Sequence, residues 1–206
     1  SLHGPWTKRP YALSTDHSLG ETHLWAPHIV DHDGMYWMLY CGGGADTSRY
    51  QIGLATSEDC TTWTRHPGNP VVADGYEARD PMVLWVDGRW VMYYTATLDP
   101  RGGRFIVAAA ESSDLIHWTG RQVVFEDEMS GTGGGPTESP FVVERDGRFL
   151  LLIGPDWDGL LRSHDETGRY DRRCYRRTRV IASDDPLRFG IDGLVTTIDA
   201  HAAEVV

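Results

Sequence analysis

DPMVLWVDGRWVMYY (80–94) has a proline near the head of an apolar run, an Asp-Gly pair, and a second run rich in aromatic and β-branched residues. Asp-Gly between two such runs is the favoured two-residue hairpin turn, because both turn positions need positive φ. The stretch therefore reads as two antiparallel strands. The same layout recurs in APHIVDHDGMYWMLY (26–40) and SPFVVERDGRFLLLI (139–153). The repetition continues downstream, where IGLATSEDCTTWT (52–64) matches IVAAAESSDLIHWT (106–119). In each, a third apolar strand ends in serine, a polar turn follows, and tryptophan opens a fourth strand. The repeated prolines stand at 27, 81 and 140, so successive units are 54 and 59 residues apart. Four antiparallel strands in a unit of this length is the pattern of a β-propeller blade.

The expected architecture is one all-β domain over residues 1–206. SLHGPWTKRPYAL (1–13) resembles the fourth-strand segment SSDLIHWTGRQVVF (112–125), so 1–20 reads as the tail of a first blade. Residues 21–74, 75–126 and 134–199 form three complete four-stranded blades, the second to the fourth. HAAEVV (201–206) resembles the first strand of a blade, so 200–206 reads as the start of a fifth. A ring with open sheet edges is a liability, and the expectation is a domain incomplete at both ends, part of a longer chain.

Composition narrows the function classes. A net charge of −11 argues against a general nucleic-acid binder, which needs a basic face. No run approaches the roughly 18 apolar residues of a membrane span, and SLHGPWTKRP carries no apolar stretch of the signal-peptide kind. The reading is a soluble protein, secreted or cytoplasmic. Cys41, Cys60 and Cys174 are odd in number and lack CxxC spacing, so neither a disulfide framework nor a zinc site is indicated.

Strand polarity sorts the loops. The Asp-Gly turns and the Ser-x-Asp turns fall at one end of the blades. The starts of the first strands and the loops after the second strands fall at the other, the upper rim. First strands line a propeller's axis, so Asp80 and Glu138, one and two residues before a strand-opening proline, point into one funnel from neighbouring blades. Two acids on rigid strands with a substrate between them suit paired-carboxylate chemistry. The plainer alternative is that Asp80 initiates a turn and Glu138 is solvated.

The motifs, in order, resemble the five-bladed β-propeller glycoside hydrolases, the grouping of families 43, 32, 62 and 68. WAPHIV (25–30) resembles the second-blade WAP motif of family 43. ARDPMV (78–83) is similar to the RDP motif of families 32 and 68, and TESPFVV (137–143) to the fourth-blade motif, EGP in family 43 and ECP in family 32. The resemblance implies a glycosidase acting on a furanoside or pentoside, arabinofuranosidase or xylosidase first and fructofuranosidase second. It makes Glu138 the general acid, and Asp80 the carboxylate that orients it, tunes its acidity and stabilises the oxocarbenium-like transition state. Arg79 would contact sugar hydroxyls, Trp25 would lie under a sugar face, and His28 and His201 would join the substrate-binding set. Trp25 fits blade packing equally well, and Trp63 and Trp118 read as core. No cofactor is required, although an axial histidine such as His201 leaves room for a structural calcium ion. The third carboxylate of these enzymes lies in the first blade, beyond the part read here, and Asp16 is wrongly placed for it. The stereochemical outcome therefore stays open.

Other features were weighed. Between Pro155 and Val180 the fourth-blade loop carries Arg162, Arg169, Arg172, Arg173, Arg176, Arg177 and Arg179 among Asp156, Asp158, Asp165, Glu166 and Asp171. Recognition of an anionic group, as in the phosphorylases of family 130, competes with a self-paired, solvated hairpin. Gly42–Gly44 and GTGGGP (131–136) lack the helix and Lys-Ser/Thr of a nucleotide loop. His23, His28, His117, His164 and His201 show no metal-ligand spacing. The rival from another class is a non-catalytic, carbohydrate-binding propeller. The implied partner is a carbohydrate in every case.

Overall fold

The structure is a computed structural model describing residues 3–44, 50–127, 130, 137–156 and 176–205. Three four-stranded antiparallel sheets follow one another along the chain. The first contains β1 (His23–His32), β2 (Met35–Gly43), β3 (Gln51–Ser57) and β4 (Thr64–Arg65). The second contains β5 (Ala78–Val86), β6 (Arg89–Asp99), β7 (Gly102–Ser112) and β8 (Thr119–Glu126). The third contains β9 (Glu138–Arg145), β10 (Arg148–Gly154), β11 (Thr178–Ser183) and β12 (Leu194–Ile198). Strand order in each sheet follows chain order, and the first strands β1, β5 and β9 touch in succession. This is the arrangement of propeller blades around an axis.

Local sequence explains the hairpins. Asp33-Gly34, Asp87-Gly88 and Asp146-Gly147 all take positive φ, as a tight turn between twisted strands requires. The Ser-x-Asp turn recurs in every blade. Asp59 and Asp114 each donate their backbone N–H to the hydroxyl of the serine two residues before and accept a backbone N–H of the turn on a carboxylate oxygen, and Asp185 does the same with Ser183. In the third sheet Phe189 stands where Trp63 and Trp118 stand in the others, and it is buried.

Alternation along each strand sends side chains to both neighbouring blades. Leu39, Ile52 and Leu54 pack against Met92, Tyr94 and Ile106 between the first two sheets. Val91, Tyr93 and Phe125 pack against Leu151, Ile153 and Ile181 between the second and third. Trp63 and Trp118 pack against this core, as their place in the sequence predicts. Residues 3–16 form no strand, contrary to the fourth-strand likeness of 1–13. Pro5 and Pro10 have no N–H to donate to a ladder, and from this segment Leu13 alone packs against the Met38–Tyr40–Ala55 cluster. Asp16 caps a short 3₁₀ turn at His17–Leu19.

Each connection into a blade carries a carboxylate tied to an arginine of that blade. Glu21 accepts from Arg65 Nη2 at 2.6 Å and from the Tyr40 hydroxyl at 2.9 Å. Asp74 accepts from Arg121 Nε at 2.8 Å and from the Tyr94 hydroxyl at 3.1 Å. Asp127 accepts from Arg179 Nη1 at 2.6 Å. Arg179 is 2% exposed on β11 and lies over the Phe125 ring. The sequence reading placed Arg179 in the fourth-blade loop, as an anion-recognising or a solvated residue. The ladder to Ile153 and Thr197 instead draws it inside the blade. Among the described residues no helix is long and apolar enough to cross a membrane.

Candidate active site

The first strands share one irregularity at their upper ends. The ladder slips between Trp25 and His28, between Arg79 and Met82, and opposite Leu152 and Gly154. At each slip a non-glycine residue takes positive φ: Ala26 at 45°, Asp80 at 53°, Ser139 at 57°. Ala202 repeats this at 50° in the last segment, although residues 200–205 form no strand. A left-handed residue with a Cβ costs on the order of 1 kcal/mol, so four in register mark a feature the fold enforces. The bulge also sets the roles of its neighbours. Trp25, Arg79, Glu138 and His201 hold equivalent places just above it, and Ala26, Asp80, Ser139 and Ala202 form the ring below.

That register brings Arg79 and Glu138 face to face. Arg79 Nη1 donates to Glu138 Oε2 at 2.9 Å and lies 4.0 Å from Asp80 Oδ2. The two predicted carboxylates therefore converge on one guanidinium. Asp80 Oδ2 also accepts from the Ser139 backbone N–H at 3.0 Å and from the Thr95 hydroxyl at 3.4 Å, so one blade's acid is braced by the next blade's bulge. Glu138 is 6% exposed and takes part in further contacts.

Arg79 is more enclosed than a sugar-contacting arginine would be. Its Nε lies 2.6 Å from Glu77 Oε1, an ionic contact whose geometry makes no hydrogen bond, and its guanidinium sits over the Phe105 ring. Three carboxylates thus share one positive charge. Burial raises Asp80 above the ordinary aspartate range, and the Glu138 charge adds to this. Arg79 and the Ser139 N–H pull it back. Burial pushes Glu77 up to about 7, with the Asp80 and Glu138 charges acting in the same sense and Arg79 against them.

Trp25 is 44% exposed on the rim, with the His23 ring at 4.1 Å and the Tyr50 ring at 5.3 Å. Tyr50 links this aromatic group to the charged one, because its carbonyl accepts the Ala78 N–H. His28 lies lower, half-buried, with its ring edge-on to Phe141, and burial depresses its pKa toward the neutral imidazole. It lines an axial cavity of about 130 Å³ with Asp80, Ser139, Ala202 and Glu204. His201 is exposed beside it. Cys41 is buried, with its thiol raised to about 12 mainly by burial, and is chemically quiet.

Among the described residues no group of three or more His, Cys, Asp or Glu could hold a metal ion. Calcium takes six to eight oxygen ligands, and the axial cavity offers two carboxylates, one already committed to Ser139 and Thr95. The described residues do not fit the axial calcium ion, and no step below uses one. Arg162, Arg169, Arg172, Arg173, Asp158, Asp165, Glu166, Asp171, His164 and Cys174 lie outside the described residues, as does GTGGGP. Of that loop's ends, Arg177 pairs with Asp199 at 3.1 Å and Asp156 at 3.7 Å. Sequence reasoning missed Glu77, Thr95, Ser139 and Tyr50. Glu77 alone had a signal, being two residues from Arg79 in a strand-forming stretch and so on the same side.

Consecutive four-stranded blades with buried acids at the head of their inner strands define a propeller of the glycoside hydrolase class. A family model described as "Glycosyl hydrolases family 43" matches residues 3–169, and the chain belongs to that family. The chain is 31% identical over 130 residues to "Arabinan endo-1,5-alpha-L-arabinosidase A" of Aspergillus niger, a match covering 57% of this chain and 40% of that enzyme. This chain thus spans well under half the length of that relative. An endo-arabinase structure from Bacteroides thetaiotaomicron superposes with a TM-score of 0.68 at 15% identity, over 93% of this chain and 68% of that one. A family 32 β-fructofuranosidase from Bombyx mori superposes with a TM-score of 0.63 at 22% identity, over 82% and 36%. The two superpositions establish the shared fold.

Proposed function

We propose that the protein is a glycosidase that cleaves an α-L-arabinofuranosyl linkage, with Glu138 as general acid and Asp80 as the supporting carboxylate. The observation that carries this reading is the convergence of Glu138 and Asp80, from adjacent blades, on the single guanidinium of Arg79. Glu138 delivers a proton to the departing glycosidic oxygen. Asp80, pinned by the Ser139 N–H, presents fixed negative charge to the positive charge that develops on the sugar ring. Trp25 offers exposed aromatic surface on the same rim, which suits the apolar face of a furanose. Arg79 orders the acids, and its burial leaves at most one edge for a sugar hydroxyl. His28 and His201 border the sugar's lower side. The arabinan-cleaving relative directs the choice of sugar. The carboxylate that activates water or attacks carbon is not assigned to any described residue.

The Arg-Asp-Pro sequence favours a second reading, a fructofuranosidase, since that motif resembles families 32 and 68. One experiment addresses both. Protein expressed from the whole reading frame, wild type and Glu138→Gln, is assayed on aryl arabinofuranosides, arabinan, xylosides, sucrose and short fructans. Arabinofuranoside turnover that falls about 10²–10⁴-fold in the variant is the expected result. Turnover of sucrose or fructan alone establishes the second reading. Sugar binding with no turnover on any substrate overturns both in favour of a binding propeller.

A further inference from the structure

Glu77 is 3% exposed, so a carboxylate there gives up water, and among the described residues Arg79 is its one cationic partner. The charged and titratable groups around it are Arg79 and Asp80 on β5, Glu138 on β9, Cys41 on β2, and Tyr50 and Tyr76 on the flanking loops. Of these only Arg79 is positive. The guanidinium is thus gripped from two sides, Glu77 at Nε and Glu138 at Nη1. A residue serving stability alone would not be expected here, because a neutral side chain of the same shape avoids the cost of burying a third negative charge.

Resting on the glycosidase reading above, we infer that Glu77 is a positioning residue that holds Arg79 so that its charge is shared among three carboxylates instead of falling on Asp80 and Glu138 alone. When Glu77 is ionised, Arg79 is balanced on its Nε side and its Nη1 edge braces the acid pair. When Glu77 takes a proton, the guanidinium acts on Asp80 and Glu138 only. Its Nε side then loses the ionic anchor, and the Nη1 edge that braces the acid pair is free to shift. Burial places this switch near neutrality, Glu77 being raised to about 7. Activity gains from the ionised form, whereas stability gains from the protonated one. The folded-state pKa lies above the ordinary glutamate value of 4.5, so stability is fully present below that value and is lost as pH rises through about 7.

The test uses the full-length protein and Glu77→Gln, which keeps shape and fixes the site neutral. Wild-type kcat/KM for an aryl arabinofuranoside should carry a rising limb near pH 7 that is missing from Glu77→Gln. The two proteins should agree below about pH 6 and differ about tenfold, wild type faster, above about pH 8. The midpoint of thermal unfolding should show the opposite order, with Glu77→Gln the more stable above pH 7 and the two equal near pH 5. A variant that keeps the wild-type pH profile overturns the inference, and so does one less stable than wild type at pH 8. Glu138→Gln separates this from the activity itself, because it loses turnover at every pH. Should the wild type turn over no furanoside, the function reading falls separately. The thermal-unfolding order, which does not depend on turnover, then decides the inference, and a Glu77→Gln no more stable than wild type above pH 7 overturns it.

Discussion

Two kinds of arginine–carboxylate cluster lie within a few strands of each other, and they obey opposite rules. In the latches at Glu21–Arg65 and Asp74–Arg121 each arginine meets one acid, and a tyrosine hydroxyl completes the set. Each group has a partner and the charges cancel. At the rim, Arg79 meets Glu77, Asp80 and Glu138, three acids on one guanidinium among the described residues. Asp80 and Glu77 respond with raised pKa values. A balanced pair fastens one segment to another. A cluster of three acids on one arginine keeps protons available, and the fold tolerates it because neighbouring blades fix its members.

Glu138 gives the largest contrast, with the fall in turnover already set out and no comparable loss of stability. Arg79→Leu should break the comparison from the other side. It removes the guanidinium that Glu77, Asp80 and Glu138 share, and about 3–5 kcal/mol of stability should be lost at pH 8. The loss should shrink toward pH 5, where Glu77 has taken a proton. Denaturant unfolding at the two pH values measures this directly. An equal loss at both would mean that Arg79 acts by packing on Phe105 and not by charge. Arg121→Ala should cost less, about 1–3 kcal/mol, because Asp74 and the Thr97 carbonyl lose a donor. Its kcat should stay within about twofold of wild type. A kinetic defect as large as that of Arg79→Leu would erase the distinction between latch and site.

What the sequence showed and what it hid divide along the same line. The hairpins and Ser-x-Asp turns were legible because each is decided within a few residues, by positive φ or by a serine and an aspartate two apart. The third copy of the second motif escaped notice because Phe189 replaces the tryptophan that marked the other two. The latches were invisible, since their partners lie 44, 47 and 52 residues apart and no local rule joins them. Asp80 and Glu138 could be placed in one funnel from strand polarity alone. The enclosure of Arg79 could not, because it depends on how close two bulges bring adjacent blades. Glu77 stood beside Arg79 in plain view, but its part comes from burial, which residue type does not report.

Trp25 offers the smallest effect and the finest test of where the site ends. Blade packing and a sugar platform were equally good readings of its sequence position. Its 44% exposure, with the His23 and Tyr50 rings packed against it, leaves much of the ring open to solvent on the rim. A stacked aromatic face contributes about 0.5–1.5 kcal/mol, which corresponds to a rise in KM of about two- to twelvefold for Trp25→Ala. The ring lies off the reacting bond, so kcat should hold. The unfolding midpoint should move by no more than a degree or two, since little buried area is lost. Trp25→Phe, which keeps a smaller ring face, should recover most of the KM. The reverse pattern, a marked fall in midpoint with KM unchanged, would assign Trp25 to the blade and confine the site to the charged cluster around Arg79.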